Sequence, residues 1–216
     1  LPYMRKANRA IDKIDLDALA AAAGPAVTGW SDTDEALINR LLDADQAPID
    51  QLVEAPMNGA GVTGLINTMS MAASHRLLRY DLTIERDRHE EFGWLDITHV
   101  LTYANAARWA WATNPGARSA RLVLLTIFLA FDSGRGERRI RRVDAALPDP
   151  ESGDIVTAVL ERRPDDAVAA ALAGPLDHVG DQLEQASLED TAGSFIMMAH
   201  LVKTAVAARE EAHATG

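Results

Sequence analysis

The sequence predicts an all-α fold, an irregular multi-helix bundle with no substantial sheet. Apolar residues recur every three or four positions along most of the 216-residue chain, and no stretch alternates between apolar and polar residues as a strand does. Glycine and proline interrupt this pattern where helices are expected to end. At 48% hydrophobic residues, the chain is long enough to bury one sizeable core. We therefore predict a single helical domain over residues 1–216.

Short helices separated by turns are predicted in the first quarter of the chain. The second of them ends at Gly24-Pro25, and Ser31 or Thr33 caps the third, which has acidic residues in its first turn. The predicted helices span residues 4–13, 15–23, 31–42 and 48–53, and residues 55–61 form a loop.

Three longer elements are predicted in the centre. A helix over residues 63–85 has an apolar stripe that includes His75 and Leu78, with Ser70 and Arg76 on its polar flank, and the charge run 86–91 with His89 is a solvated connection. Gly93 precedes the next helix, which Asp96 or Thr98 caps and Asn114-Pro115-Gly116 ends. Residues 119–131 are apolar on every side, as in a fully buried helix.

The last third begins with a basic segment, residues 135–142, which is either a solvated helix face or a docking patch for an acidic partner. Residues 147–153 form the clearest loop of the chain. The helices expected beyond it cover residues 155–160, 166–172, 176–188 and 188–212. We expect His178 and His213 to lie at the surface, because charged residues flank both of them.

Composition excludes several classes of function. A net charge of −11 argues against general nucleic-acid binding, which needs clustered lysine and arginine. The absence of cysteine excludes disulfides, thiolate metal sites and cysteine nucleophiles within the chain. The most apolar run, residues 122–131, is too short to cross a bilayer, and no signal peptide is evident. A cytoplasmic protein without membrane contact is the expectation.

Three histidines lie on apolar faces of three different predicted helices: His75, His99 and His200. On its helix His99 shares a face with Thr102, Tyr103 and Ala106, so we expect it to point inward. A buried imidazole either hydrogen-bonds to a neighbour or holds a metal, and histidine is the commonest metal ligand. The sequence lacks the motifs of zinc proteases, ferritin-type di-iron proteins and serine hydrolases.

Lys203 lies three residues after His200 on the same face of an apolar helix. Its ammonium group either snorkels to the surface or is buried. Burial would favour the neutral amine, which reacts with carbon dioxide to give a carbamate, an anionic oxygen ligand. The two alternatives predict different environments for Lys203.

Two motifs in the chain resemble the questin oxidase-like family, helical oxygenases of aromatic polyketide and anthraquinone pathways. They are Gly93-Trp94-Leu95-Asp96-Ile97-Thr98-His99 with Leu101-Thr102-Tyr103-Ala104-Asn105-Ala106, and Ala199-His200-Leu201-Val202-Lys203-Thr204. The resemblance implies one non-haem iron, with His99, His200, a carboxylated Lys203 and, by extension, His75 as ligands. Family members are longer and have a further histidine motif in their N-terminal half. This implies that the chain is the C-terminal part of a longer polypeptide. The fourth histidine is then His178, lies outside the chain or is not needed, or its loss marks an inactive relative.

The expected activity is oxygenation of a hydrophobic aromatic or ketone substrate, by Baeyer–Villiger-type insertion or ring cleavage. Dioxygen would be the oxidant, and electrons would come from NADPH or from a ferredoxin or Rieske-type partner. No nucleotide-binding fingerprint is present to hold NADPH. Tyr103 would orient the substrate, or pack in the core. The alternative is a metal-free helical interaction or scaffold domain attached to a redox enzyme, in which the three histidines make core hydrogen bonds and the arginines at 135–142 dock a partner.

Overall fold

The computed structural model describes residues 2–22, 32–43, 46–81, 83, 93–134, 146–191 and 195–216. Within these ranges the regular elements are helices and there is no β-strand, which confirms the all-α prediction. The chain divides into two compact units, residues 1–143 with 214–216 and residues 144–213. The assignment of the whole chain to a single domain stays a prediction.

Helix α5 lies at the centre of the first unit. The helices of this unit are α1 (Pro2–Ile11), α2 (Leu16–Ala21), α3 (Asp32–Leu42), α4 (Ile49–Ala55), α5 (Gly61–Leu78), α6 (Trp94–Thr113) and α7 (Ala117–Asp132). Helix α5 packs against α3, α4, α6 and α7. Between Val62 and Ala73 nearly all of its side chains are buried, because it has neighbours on several sides.

The predicted stripe of the α5 helix is wrong in detail. Ser70 and Arg76, predicted on the polar flank, are buried, whereas Leu78, predicted in the stripe, is exposed. Burial of Ser70 is compatible with helix packing because its hydroxyl donates to the carbonyl of Ile66 at 3.2 Å. The helix ends at Leu78 rather than near residue 85. The charge run with His89 lies outside the described residues.

Local chemistry explains several helix boundaries of the first unit. The Asp15 carboxylate caps α2 by accepting a hydrogen bond from the Ala18 N–H at 2.9 Å. The predicted loop over residues 55–61 is instead largely a wide helical turn, Pro56–Ala60. Gly59 has a φ of 109° in this turn, a conformation that a residue with a Cβ rarely adopts. The turn joins α4 to α5 without an extended connection.

Helices α6 and α7 complete the core of the first unit. Helix α6 begins after Gly93, whose N–H donates to the Asp96 carboxylate at 2.9 Å, so Asp96 lies in the first turn and is not the N-cap. Helix α7 is buried along much of its length but not on every side as predicted, since Leu122 is exposed. Helices α1, α2 and α6 pack against it. No helix of the described ranges combines the length and the apolar character that crossing a bilayer requires.

The second unit consists of short helices followed by a long one: α8 (Ile155–Leu160), α9 (Pro164–Ala173), α10 (Leu176–Glu189) and α11 (Phe195–Thr215). Helix α8 packs against α9 and α10. The Asp154 carboxylate caps α8 by accepting from the N–H of Thr157 at 3.1 Å and from its hydroxyl at 2.9 Å. The predicted start of the last helix at Leu188 is wrong, since this residue belongs to α10 and α11 begins at Phe195. The basic segment predicted at 135–142 lies outside the described residues.

Candidate functional site

His75 is half-buried near the end of α5, in the first unit. Burial lowers its pKa most, the Arg79 guanidinium one turn later lowers it further, and the Glu35 carboxylate of α3 opposes both. The neutral imidazole is therefore favoured near neutral pH. Only the neutral ring offers a lone pair to a metal ion, so the environment of His75 suits the predicted ligand role.

His99 does not point inward, which corrects the prediction from the sequence. Helix α6 buries a face that runs through Ile97, Val100 and Ala104, and His99 lies outside it and is exposed. The hydroxyl of Thr102 donates to the carbonyl of His99 at 3.3 Å. The requirement that a buried imidazole must find a partner therefore does not apply to His99.

Tyr103, one turn after His99, is half-buried. Burial raises the pKa of its phenol, because the charged phenolate is disfavoured away from water. The hydroxyl therefore keeps its proton at neutral pH and can donate a hydrogen bond. The predicted role in orienting a substrate needs such a donor, and that role stays a prediction.

His200 and Lys203 lie one turn apart on α11, in the second unit. The Nδ1 atom of His200 is 2.7 Å from the carbonyl oxygen of Ile196. A carbonyl only accepts hydrogen bonds, so Nδ1 carries the proton and the lone pair of the neutral ring is on Nε2. Metal-bound histidines are commonly oriented by a hydrogen bond of this kind.

Lys203 is exposed, in agreement with the snorkelling alternative and not with the buried one. Water therefore solvates its ammonium group. The carbamate prediction requires burial of this group, and the second unit leaves it exposed. Carboxylation of Lys203 would require a further layer over this face of α11.

The predicted ligands are divided between the two units: His75 and His99 belong to the first, His200 and Lys203 to the second. Among the described residues, no three histidine, aspartate or glutamate side chains are grouped so that they could hold a metal ion. The predicted convergence of the ligands on one iron stays a prediction. His178, the candidate fourth histidine, is exposed, as expected from its charged neighbours.

A carboxylate cluster on α10 was not anticipated from the sequence. Asp177, Asp181 and Glu184 all accept hydrogen bonds from Arg209 of α11. His213, predicted as solvated tail, is exposed but has its Nε2 atom 2.9 Å from Asp177 Oδ1. The spacing of these acidic residues by three or four positions indicates in the sequence that they share one face of a helix. It does not indicate which cationic residues would pair with them.

A cationic face of α1 was also missed. Arg5, Lys6, Arg9 and Lys13 line a groove of about 450 Å³ at the surface of the first unit. The recurrence of basic residues at positions 5, 9 and 13 was visible in the sequence and indicates one side of a helix. A second, smaller groove of about 280 Å³ in the second unit is lined by charges of both signs, among them Asp154 and Arg163.

Comparison with known proteins adds no family assignment: no protein-family model matches the chain, and no curated protein or solved structure matches it either.

Proposed function

We propose that the chain is part of a mononuclear non-haem iron oxygenase that acts on a hydrophobic aromatic or ketone substrate. The observation that supports this proposal best is the pairing of His200 and Lys203 on one face of α11, with the Nδ1–H of His200 directed to the Ile196 carbonyl. This hydrogen bond makes Nε2 the nitrogen available to a metal. The resemblance to the questin oxidase-like family supplies the reaction class.

The four predicted ligands fit an iron unequally. His75 is suited by its lowered pKa and His200 by its ring tautomer. His99 and Lys203 are exposed, and therefore lack the dry surroundings that a reactive iron site usually needs. The proposal requires that both side chains become covered when the chain binds iron.

Bound iron would activate dioxygen, and the residues of the chain would bind the iron and orient the substrate. His75 and His200 would act as neutral ligands, and the Tyr103 phenol would donate a hydrogen bond to a substrate carbonyl. Electrons would come from NADPH or a ferredoxin or Rieske-type partner, in a cytoplasmic setting. Each of these roles belongs to the proposal.

Iron content tests the proposal. The chain is loaded anaerobically with Fe(II) in the presence of bicarbonate, desalted and analysed for iron per chain. We expect about one iron for the wild type, a loss of about tenfold or more for His200→Ala and Lys203→Ala, and partial recovery for Lys203→Glu. His213→Ala and Lys13→Ala are matched controls that should keep their iron. A wild-type chain without iron, or equal iron in all variants, would refute the proposal.

A metal-free interaction domain is the second candidate, and a specific observation favours it. The side chains of the four basic residues of the α1 face make no hydrogen bond or ion pair with any residue that the structure describes, although the chain is acidic overall. Under this alternative, His75 and His200 serve only in packing and local hydrogen bonds. A chain that binds no iron but binds a ligand through α1 would support this candidate over the first.

A further inference from the structure

The α1 face is anchored firmly enough to present its charges outward. Ala7 and Ile11 on the opposite side of the helix are fully buried. Asn8 Oδ1 and Asp12 Oδ1 both accept hydrogen bonds from Arg121 Nη2 of α7, at 2.8 and 2.9 Å. These contacts fix the rotation of α1 about its axis and leave its basic side chains exposed.

The positive charge of this face is not compensated locally. Asp12 is the only acidic residue between positions 2 and 14, and its carboxylate is already bonded to Arg121. Arg5 and Arg9 are four positions apart on α1, so their like charges repel each other along the face, and Lys13 adds a further positive charge in the turn after the helix. Arg5 also lies near the helix N-terminus, where the helix dipole disfavours a cation. A bound anion would relieve both unfavourable terms.

The shape and charge of the surroundings restrict the kind of anion. The helical part of the face, from Arg5 to Arg9, is about 6 Å long, or one helical turn, and Lys13 extends it in the turn that follows α1. The whole chain carries a net charge of −11, so the surface beyond this face is more acidic still. The acidic surface would repel an extended polyanion such as a nucleic-acid duplex or an anionic bilayer. A short acidic peptide segment would contact only the basic face and would avoid this repulsion. Ala7 and Ile11, on the opposite side of α1, are fully buried and therefore cannot insert into a membrane.

We propose that the α1 face, formed by Arg5, Lys6, Arg9 and Lys13, docks a short acidic segment of a partner protein. Glutamate or aspartate side chains spaced along such a segment would pair with the four cations within the groove that they line. The proposal does not depend on a metal, and it holds or fails separately from the oxygenase proposal.

Fluorescence anisotropy with a labelled glutamate-rich peptide of about twelve residues tests the proposal, with a glutamine-rich peptide as the ligand control. The variant Arg5→Gln/Arg9→Gln should bind the glutamate peptide about tenfold more weakly. Arg40→Gln/Arg118→Gln removes the same charge from exposed positions of the same unit and should change the affinity less than about twofold. Arg5→Lys/Arg9→Lys keeps the charge and should retain most of the binding.

Binding should weaken as NaCl is raised from about 50 to about 300 mM, because the contacts are exposed. Circular dichroism of each variant confirms that helix content is unchanged. Equal weakening by both glutamine variants, or equal binding of the two peptides, would overturn the proposal. Tighter binding of phosphatidylserine-containing vesicles or of a DNA duplex than of the glutamate peptide would overturn it as well.

Discussion

Gly180 of α10 lies directly beneath the side chain of Arg209 of α11: a Cβ at position 180 would be 2.6 Å from Arg209 Cδ. The absence of a side chain at Gly180 lets the arginine stem cross α10. Its guanidinium then reaches Asp181 Oδ1 at 2.7 Å and Asp177 Oδ1 at 3.2 Å. An ion cluster therefore links the two helices, and with Arg209 in this position there is no room for a Cβ at position 180.

Gly180→Ala should have opposite effects in two backgrounds. Alanine is favoured over glycine in a helix by about 1 kcal/mol, but here its methyl group would displace Arg209 and break the cluster. We expect Gly180→Ala to lower the Tm of the wild-type chain and to raise the Tm of Arg209→Ala. Thermal melts followed by circular dichroism measure both changes. A shift of the same sign in the two backgrounds would show that Gly180 does not serve Arg209.

The same cluster predicts a pH dependence through Asp177. Its pKa is lowered mainly by the hydrogen bond from Arg209 and then by the one from His213. A lowered pKa means that the folded state binds the proton less tightly than the unfolded state. The contribution to stability is thus complete above the ordinary carboxyl pKa of about 4, and it is lost as the pH falls through the lowered value.

Melts of the wild type and Asp177→Asn between neutral and acidic pH test this prediction. The wild type should lose more of its Tm on acidification than the variant, which has no carboxylate to protonate at this position. Asp165→Asn, at an exposed site without an ion pair among the described residues, serves as the control. Parallel pH profiles for the wild type and Asp177→Asn would contradict the assignment.

The approximate bounds of α6 could be predicted from the sequence, but its orientation could not. Gly93 and Asn114 lie at the ends of the helix as breaking residues do, but the predicted cap at Asp96 or Thr98 placed the start a few residues too late. The orientation depends on packing against α5 and α7, and α6 offers apolar residues around most of its circumference. The hydrophobic pattern of α6 therefore did not show which of two faces is buried, and His99 was assigned to the buried face although it is exposed.

Contacts between residues that are distant in the sequence could not be predicted either, because they also depend on how the helices pack. Nothing near Gly180 or Asp177 indicates that Arg209 will lie against them. The division of the chain after residue 143 is likewise a result of packing and was not predicted, although the loop predicted at 147–153 lies close to it. The α1 face is the exception, because the spacing of Arg5, Arg9 and Lys13 already defines it.

Arg76 should be a stability determinant of the first unit. Its side chain is 1% exposed, and Nη2 donates to the Ala130 carbonyl of α7 at 3.2 Å. Arg76→Ala would leave a cavity and remove this link between α5 and α7, so we expect a loss of about 2–5 kcal/mol in urea unfolding. Arg76→Met keeps most of the volume and should lose less. Equal losses for both substitutions would mean that cavity formation contributes little.

His75 should titrate below the ordinary histidine range. Burial and Arg79 lower its pKa, whereas Glu35 raises it. In NMR titrations the midpoint should therefore rise in Arg79→Gln and fall in Glu35→Gln. Because the folded state disfavours protonation of His75, stability should decline as the pH falls from the unfolded pKa of about 6.5 through the lowered one. His75→Gln should flatten that part of the profile.

The titration of His75 also bears on the iron proposal, because only the neutral imidazole can bind a metal ion. If the imidazole binds Fe(II), the metal and the proton compete for the same nitrogen, so iron loading should suppress the titration of His75. Zinc-free, iron-free chain in the same buffer is the reference. A His75 resonance that titrates identically with and without Fe(II) would exclude this histidine from an iron site, while leaving the effects of Arg79 and Glu35 on its pKa unchanged.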